Sequence, residues 1–460
     1  MRTESDKIGT VILSDDKLYG IQTQRAVDNF AVGDKCVSLK LIYAIVMVKK
    51  AAAIANRELN LIESQKAEAI IDACDTILSG KADAAFVTNA LQGGAGTSTN
   101  MNVNEVIANL ALLSQGRKCG EYAVIHPLDD VNKGQSTNDV YPTALRIAAI
   151  EMVRLLSDEC AKLQEALQKK ESEFADVYKL GRTELMDAMP ITLGQEFGAY
   201  AQAIARDRWR IYKVEERLRQ VNLGGTAVGT GSNINRKYSY KVIEVLRELT
   251  DIGIARAEFP MDITQNNDVF VEVSGLLKAL AVNLMKISTD LRLMNSGPCG
   301  GFGEITLKEL QMGSTIMPGK VNPVIPEMVT QVAIKVMAND TAITFSAANG
   351  NFELNAFMPL IADCLLESLS QLTEAVALFR TRCIEPLTAN RDKCLEHLEQ
   401  SLVILTALTP YIGYDKAAQI VTECKNDSKK IKEVIMEKVL IEEALLDSLL
   451  DYKKAATYNG

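Results

Sequence analysis

The sequence predicts a mainly α-helical protein built around a bundle of long helices. Aromatic residues make up only 5% of the 460 residues, whereas Ala, Leu, Ile, Lys and Glu abound, and this balance favours helix over strand. Five long stretches contain almost no helix-breaking residues: 138–174, 192–221, 267–294, 326–348 and 356–384. Because helices of this length are stable only when they pack side by side, several of them are expected to form an elongated bundle.

Residues 1–137 are predicted to form a mixed, mainly helical N-terminal domain. Apolar residues recur at three- and four-residue spacing in 42–61 and in 64–79, which predicts two helices. Glycines between residues 93 and 96 interrupt this pattern. A further helix is then expected over 102–113.

Residues 138–390 are predicted to form the central long-helix bundle. Its first helix contains Pro142, which we place in the first helical turn, where proline is tolerated. The stretch 273–285 is apolar around most of its circumference, which indicates burial against several neighbours, other subunits included.

Residues 391–460 are predicted to form a small C-terminal helical domain. After Pro386 the helical patterns become shorter, with segments at 392–408, 415–424 and 428–452. The last of these is charged and amphipathic.

The overall composition argues against several classes of protein. A net charge of −9 without a basic stripe argues against nucleic acid as a partner. The apolar runs are too short to span a bilayer, and the polar N-terminus does not resemble a signal peptide. None of the nine cysteines forms a C-x-x-C pair, which is typical of isolated thiols in a reducing compartment. A cytoplasmic location is therefore expected.

Three polar segments rich in Gly, Ser, Thr and Asn interrupt the helical pattern, at 93–102, 133–139 and 313–323. Any one of them could simply be the start of a helix, since these residues are good N-caps. Each nevertheless supplies neutral hydrogen-bond donors just before a helix, whose free N–H groups and dipole favour anions. Three such sites suit a ligand with more than one carboxylate.

The sequence lacks the motifs of several other kinds of enzyme and binding site. Lys320 does not follow the glycine spacing of a P-loop, and no G-x-G-x-x-G lies between a strand and a helix. No cluster of His and Cys predicts a transition-metal site, and no G-x-S-x-G predicts an esterase. We therefore predict no metal site, although the sequence leaves activation by Mg²⁺ open.

The third segment carries a specific resemblance. Gly313-Ser-Thr-Ile-Met-Pro-Gly-Lys-Val-Asn-Pro323 matches every fixed position of G-S-x-x-M-P-x-K-x-N-P, the signature of the aspartase/fumarase superfamily. The other two segments resemble the remaining signature regions of that superfamily in the same order, and 181–196 resembles a fourth. The similarity extends from about Asp16 through the C-terminal region.

This resemblance implies a homotetramer with a twenty-helix core, whose active sites combine signature regions of three subunits. It also implies a cofactor-free lyase that takes a proton from the carbon beside a carboxylate, through an enediolate, and releases fumarate. Ser314 would be the general base, acting as an alkoxide on a loop that closes over the substrate. The reacting carboxylate would lie among Thr97, Ser98, Ser136 and Thr137. Lys320 and Asn322 would bind the other carboxylate.

The leaving group depends on a different position. Fumarases and several aspartases carry histidine after Gly181-Arg-Thr183, whereas this chain has Glu184. Glu327 lies where the family often pairs a carboxylate with that histidine, so the two carboxylates would raise at least one pKa if they are close. An ammonium between them would relieve that repulsion. We therefore expect Glu184, with Asn138 and Thr183, to receive the amino group of L-aspartate.

Alternatives to ammonia elimination remain open. Residues 16–25 and 126–132 resemble fumarase, although Ala123 and Leu128 replace an Arg and an Asn of its second site. His126 is interpreted as a structural residue before Pro127. In contrast, Ser98 follows the ammonia-lyase form of its segment. A class II fumarate hydratase, another succinyl-group C–N or C–S lyase and a non-catalytic structural relative are the alternatives.

Overall fold

The computed structural model describes residues 1–424, 431–438, 442–449 and 451–456. The chain is mainly helical, as the sequence predicted. Its internal contacts divide it into two compact units. Unit 1 comprises Met1–Ser157, Trp209–Ala279 and Ile334–Thr373. Unit 2 comprises Asp158–Arg208, Leu280–Ala333 and Glu374–Gly460. The division into 1–137, 138–390 and 391–460 stays a prediction.

The helices of the first half of the chain include the longest one. In chain order they are α1 Ile21–Asn29, α2 Leu39–Glu58, α3 Ser64–Leu78, α4 Thr97–Ser114, α5 Thr137–Glu173, α6 Leu193–Leu218 and α7 Arg236–Thr250. Those of the second half are α8 Pro260–Gln265, α9 Asp268–Met294, α10 Val324–Ala348, α11 Met358–Phe379, α12 Arg391–Gln400, α13 Thr409–Ile412, α14 Tyr414–Cys424, α15 Ile431–Glu437, α16 Glu443–Leu449 and α17 Tyr452–Ala455.

In the described part of the chain, four small two-stranded sheets accompany the helices. The strands are β1 Arg2–Ser5, β2 Thr10–Leu13, β3 Tyr178–Thr183, β4 Met186–Thr192, β5 Gln220–Val221, β6 Ala255–Arg256, β7 Ile305–Thr306 and β8 Thr388–Ala389. The strands pair two by two, as β1–β2, β3–β4, β5–β6 and β7–β8, and of these four pairs only β5–β6 is parallel. In β3–β4, Thr183 lies opposite Met186, so Glu184 and Leu185 form the turn.

The long helices form where the sequence lacks breakers, and their polar starts follow the prediction. Helix α4 begins at Thr97 rather than at the expected Asn102, because Gly96 adopts a left-handed φ of 92° just before it. Helix α5 begins at Thr137, and α10 begins at Val324, directly after the third polar segment. All three polar segments therefore lead into helices.

The placement of Pro142 in a first helical turn was wrong, because it lies inside α5. Proline cannot donate a hydrogen bond to the carbonyl four residues earlier. That carbonyl, the Asn138 oxygen, instead accepts a hydrogen bond from Asn222 Nδ2 at 3.0 Å. A long-range side chain therefore compensates for the bond that proline removes.

Unit 1 contains a buried core around α2, α3 and α4. Residues Ile42, Ile45 and Val46 of α2 are fully buried, as are Val103 and Ile107 of α4. This packing fixes α4, and with it the first polar segment.

The predicted single helix over 392–408 was wrong. Helix α12 ends at Gln400, Ser401 is extended, and a turn of 3₁₀-helix follows over Val403–Leu408. The Ser401 hydroxyl donates to Asp187 Oδ2 of β4 at 3.2 Å, a contact that the local pattern does not reveal. The predicted 415–424 helix is present as α14. The predicted helix over 428–452 falls partly outside the described residues.

None of the helices in the described part of the chain has the length and apolar character needed to cross a membrane.

Candidate active site

The first polar segment forms a tight turn that ends at the start of α4. Gly94, Ala95 and Gly96 all have positive φ angles, of 84°, 56° and 92°. A side chain on Gly96 would lie 2.3 Å from the Tyr141 ring, so only glycine fits there. Thr97 and Ser98 thereby occupy the first turn of α4, where backbone N–H groups lack helical partners. The turn thus presents hydroxyls and a helix N-terminus together.

The second polar segment is organised by a buried carboxylate, Asp139. Its Oδ1 accepts the Ser136 N–H at 2.9 Å, and its Oδ2 accepts the N–H groups of Gly224 and Thr226 at 3.0 and 2.9 Å. Burial raises the pKa of Asp139 to about 6, although these N–H groups oppose the shift. The carboxylate therefore holds Ser136 at the start of α5.

The Asn138 side chain is oriented by a hydrogen bond within unit 1. Its Nδ2 donates to the Ala227 carbonyl at 2.8 Å. Its Oδ1 is therefore the atom available to a ligand, and an amide oxygen accepts from a donor such as an ammonium group.

A direct contact joins the first two polar segments. Asn100 Nδ2 in α4 donates to Thr137 Oγ1 in α5 at 3.2 Å. Unit 1 therefore contains five of the predicted site residues on two neighbouring helix starts, namely Thr97, Ser98, Ser136, Thr137 and Asn138.

The third polar segment is an exposed loop in unit 2. Its two ends lie together, and we call them the neck of the loop. Asn322 Nδ2 donates to the Gly313 carbonyl at 2.9 Å, which joins the two ends of the loop. The Ser314 Oγ accepts the N–H groups of Ile316 and Met317 at 3.2 and 2.9 Å. Donors aimed at an oxygen favour its ionised form, so this turn assists formation of an alkoxide.

A cavity of about 640 Å³ adjoins this loop within unit 2. Lys320 and Asn322 line it, together with Arg292, Lys308, Glu309 and Glu327. Arg292 Nη2 lies 3.6 Å from Glu327 Oε1. The cavity therefore gathers three cationic side chains and two carboxylates, and this excess of positive charge suits an anionic ligand in an acidic protein.

The fourth signature region forms the β3–β4 hairpin of unit 2. Thr183 and Glu184 are exposed at its tip. Glu184 and Leu185 have φ angles of 53° and 65°, which side chains rarely adopt. The proximity of Glu184 to Glu327 stays a prediction.

A buried ionic cluster anchors the hairpin. The fully buried Glu304 carboxylate contacts Arg182 Nη1 at 2.7 Å, Lys179 Nζ at 2.8 Å and His397 Nδ1 at 3.2 Å. Burial alone would raise the pKa of Glu304, but Lys179 and Arg182 hold it below its usual range. His397 is thus a half-buried member of this cluster.

Sequence reasoning missed the residues that act over long separations. Arg292 and Lys308 belong to no motif, and the Glu304 cluster joins residues more than a hundred positions apart. In the sequence, the signal that could have revealed these residues is a charged residue among apolar neighbours. His126 behaves as expected, because its Nδ1 caps the turn by accepting the N–H groups of Leu128 and Asp129.

We also searched the described residues for side chains that could bind a metal ion. No group of three or more His, Cys, Asp or Glu side chains there is arranged to hold a metal ion.

Comparison with known families agrees with this geometry. The family described as lyase matches residues 9–338, and the family described as the C-terminus of fumarase C matches residues 404–455. The chain belongs to the lyase family.

Relatives of this lyase align over nearly its whole length. It is 45% identical to the aspartate ammonia-lyase of Helicobacter pylori over 451 residues, covering 98% of this chain and 96% of that relative. It is 44% identical to that of Escherichia coli over 452 residues, covering 98% and 95% of the two chains.

Solved structures similar to this lyase share its fold. A fumarate lyase:delta crystallin from Brucella melitensis, bound to cobalt, has a TM-score of 0.95 at 44% identity, covering 99% of this chain and all of that one. A class II fumarase from Schistosoma mansoni has a TM-score of 0.95 at 32% identity, with both chains fully covered.

Proposed function

We propose that this lyase eliminates ammonia from L-aspartate and releases fumarate. The observation that carries the proposal is its full-length similarity to aspartate ammonia-lyases at 44–45% identity. The polar segments described above supply chemistry that fits this reaction.

Ser314 is the proposed base that removes the Cβ proton. A serine hydroxyl is too weakly acidic to act unassisted, so its alkoxide needs stabilisation. The N–H groups of Ile316 and Met317 point at its oxygen and provide part of that stabilisation. The carboxylate beside the attacked carbon then becomes a dianionic enediolate.

The two carboxylates of the substrate have separate proposed sites. The reacting one lies among the residues on the two helix starts of unit 1, where pre-placed donors meet the charge as it develops. These residues are Thr97, Ser98, Ser136 and Thr137. Lys320 and Asn322 bind the other carboxylate, and Lys320 supplies a local cation in a protein whose net charge is −9.

The amino group is proposed to contact Asn138, Thr183 and Glu184. Asn138 Oδ1 and the exposed Glu184 carboxylate are acceptors, as an ammonium group requires. Glu184 thereby favours an amino substrate over a hydroxy substrate.

A complete site is proposed to form in a homotetramer, from segments of three subunits. Exposed apolar side chains on the long helices, including Trp209, Val282 and Phe345, support such contacts. The enzyme is proposed to require no cofactor and to act in the cytoplasm. The described residues contain no disulfide bond, which is consistent with a reducing compartment.

One assay tests this function against the alternatives. Purified protein is incubated separately with L-aspartate and L-malate, while fumarate is followed by ultraviolet absorbance and ammonia is measured in parallel. Equal amounts of fumarate and ammonia from aspartate are expected. Fumarate from malate alone would identify a hydratase, and no product from either would indicate a non-catalytic relative or another succinyl-group substrate.

A further inference from the structure

A lysine is buried behind the first two polar segments of unit 1. Lys49 of α2 is completely buried, and its Nζ donates to Asn132 Oδ1 at 2.7 Å. Burial lowers the pKa of Lys49 to about 7, while the charge of Asp139 acts in the opposite direction. Burying an amine is costly unless the surroundings satisfy it, so its position requires an explanation.

Lys49 determines the orientation of the Asn132 amide. An ammonium group can only donate, so the Asn132 atom facing it is the oxygen. The same oxygen accepts Asn100 Nδ2 at 3.1 Å and Asn104 Nδ2 at 3.2 Å. Lys49 thereby also fixes which end of the Asn100 amide faces Asn132.

The orientation of Asn100 extends to Thr137. Asn100 Nδ2 donates to Thr137 Oγ1 at 3.2 Å, so the threonine oxygen acts as an acceptor in this bond. The hydroxyl proton of Thr137 is then free to point toward a carboxylate. A reversed Asn100 amide would instead compete for that proton.

One hydrogen bond and one nearby charge favour the charged form of Lys49. An ammonium group donates to Asn132 Oδ1 through a charge-assisted hydrogen bond, which is stronger than the bond from a neutral amine. The Asp139 carboxylate also favours the charged form.

We propose that Lys49 is a positioning residue for the elimination reaction, acting through Asn132 and Asn100 on Thr137. This inference rests on the proposed function, because it assigns Thr137 to the carboxylate that becomes the enediolate. The buried cation stabilises that dianion more than the ground-state carboxylate, since the charge beside Thr137 grows during the reaction.

The experiment compares Lys49→Met with Lys50→Met. Both replace a lysine of the same helix by an uncharged side chain of similar length, but Lys50 pairs with Asp75 instead. Binding of two ligands is measured by calorimetry, which also reports the fraction of competent sites. Succinate mimics the ground-state dicarboxylate. The second ligand is the aspartate analogue in which a nitro group replaces the reacting carboxylate. Its ionised form, the nitronate, mimics the enediolate.

Lys49→Met is expected to weaken nitronate binding by about 10- to 100-fold, as loss of a residue that orients a catalytic group does. Succinate binding is expected to change by no more than about threefold, because its charge does not grow. Lys50→Met is expected to leave both affinities within about twofold, because an exposed ion pair contributes little.

Equal weakening of both ligands by Lys49→Met would overturn the inference and leave only a structural role. Unchanged nitronate binding would also overturn it. If Lys49→Met does not fold, Asn132→Asp keeps the shape and neutralises the cation, and the same selective loss is expected. The proposed function fails separately, if the wild-type protein releases no ammonia from aspartate.

Discussion

The neck of the 313–323 loop allows a sharp test of the proposed catalytic base. A Cβ on Gly313 would lie 2.3 Å from the Lys320 carbonyl oxygen, about 1 Å short of the 3.4 Å at which ordinary contact begins. The other close atoms, Asn322 N and Val321 Cα at 2.8 Å, are also backbone. No side-chain rotation relieves this overlap, so Gly313→Ala must shift the loop by about 1 Å. Displacement of this size at a reacting group costs about 100-fold in rate.

Gly319→Ala is the matched control in the same loop. Gly319 has a φ of 82°, but a Cβ there meets nothing within 4 Å. Its cost is the backbone strain of about 1–2 kcal/mol alone. Fumarate release from L-aspartate gives kcat/KM, and thermal unfolding reports the fold. Gly313→Ala is expected to lose about 100-fold in kcat/KM with an unfolding midpoint close to wild type. The reasoning is refuted if Gly313→Ala stays within about threefold of wild type, or if Gly319→Ala is the more damaging change.

Three further substitutions test separate parts of the site. Ser314→Ala removes the proposed base and is expected to lower kcat by about 10²- to 10⁴-fold while succinate still binds; turnover near wild type would assign the base elsewhere. Glu184→Gln removes the proposed partner of the amino group and is expected to raise KM for L-aspartate. Unchanged kinetics with L-aspartate would contradict this role for Glu184. Glu304→Gln leaves Arg182 without its buried carboxylate and Lys179 with Glu196 alone, and it is expected to destabilise the protein by about 3 kcal/mol in denaturant unfolding at neutral pH. Because the folded-state pKa of Glu304 is lowered, this contribution is fully present above the ordinary glutamate pKa of about 4.3 and disappears as the pH falls through the folded value. A difference between variant and wild type that persists at lower pH would contradict this account.

The sequence predicted the elements that are determined locally. Helices α3 and α9 begin within one residue of the expected positions, because hydrophobic periodicity and the absence of breakers are local properties. Helix α7 and the β3–β4 hairpin were not predicted. The hairpin is short, and its anchor is Glu304, more than a hundred residues away. Elements that depend on distant partners leave only weak local patterns.

The same distinction applies to the candidate site. The motif of the 313–323 loop identified Ser314 and Asn322, and the structure adds the bond that closes the loop. Lys49 lies within the predicted helix over 42–61 and belongs to no motif. Its importance appears only when Asn132, from a segment 83 positions away, is placed against it. Side chains that orient other side chains are therefore the part of the site that one sequence conceals.

The turn of the β3–β4 hairpin bears on which part of the chain removes the proton and which part selects the leaving group. Two successive residues with left-handed φ angles are usually Asn and Gly, because a side chain there costs about 1–2 kcal/mol. This chain has Glu184 and Leu185 instead, and Leu185 is 63% exposed, so burial within the chain does not offset the strain. Strain retained at an exposed tip supports a functional reason for the residues found there. In the proposed mechanism the 313–323 loop removes the proton, a step that is common to every leaving group. Glu184 at the hairpin tip stands where the family resemblance leads us to expect histidine, and we therefore propose that it selects ammonia.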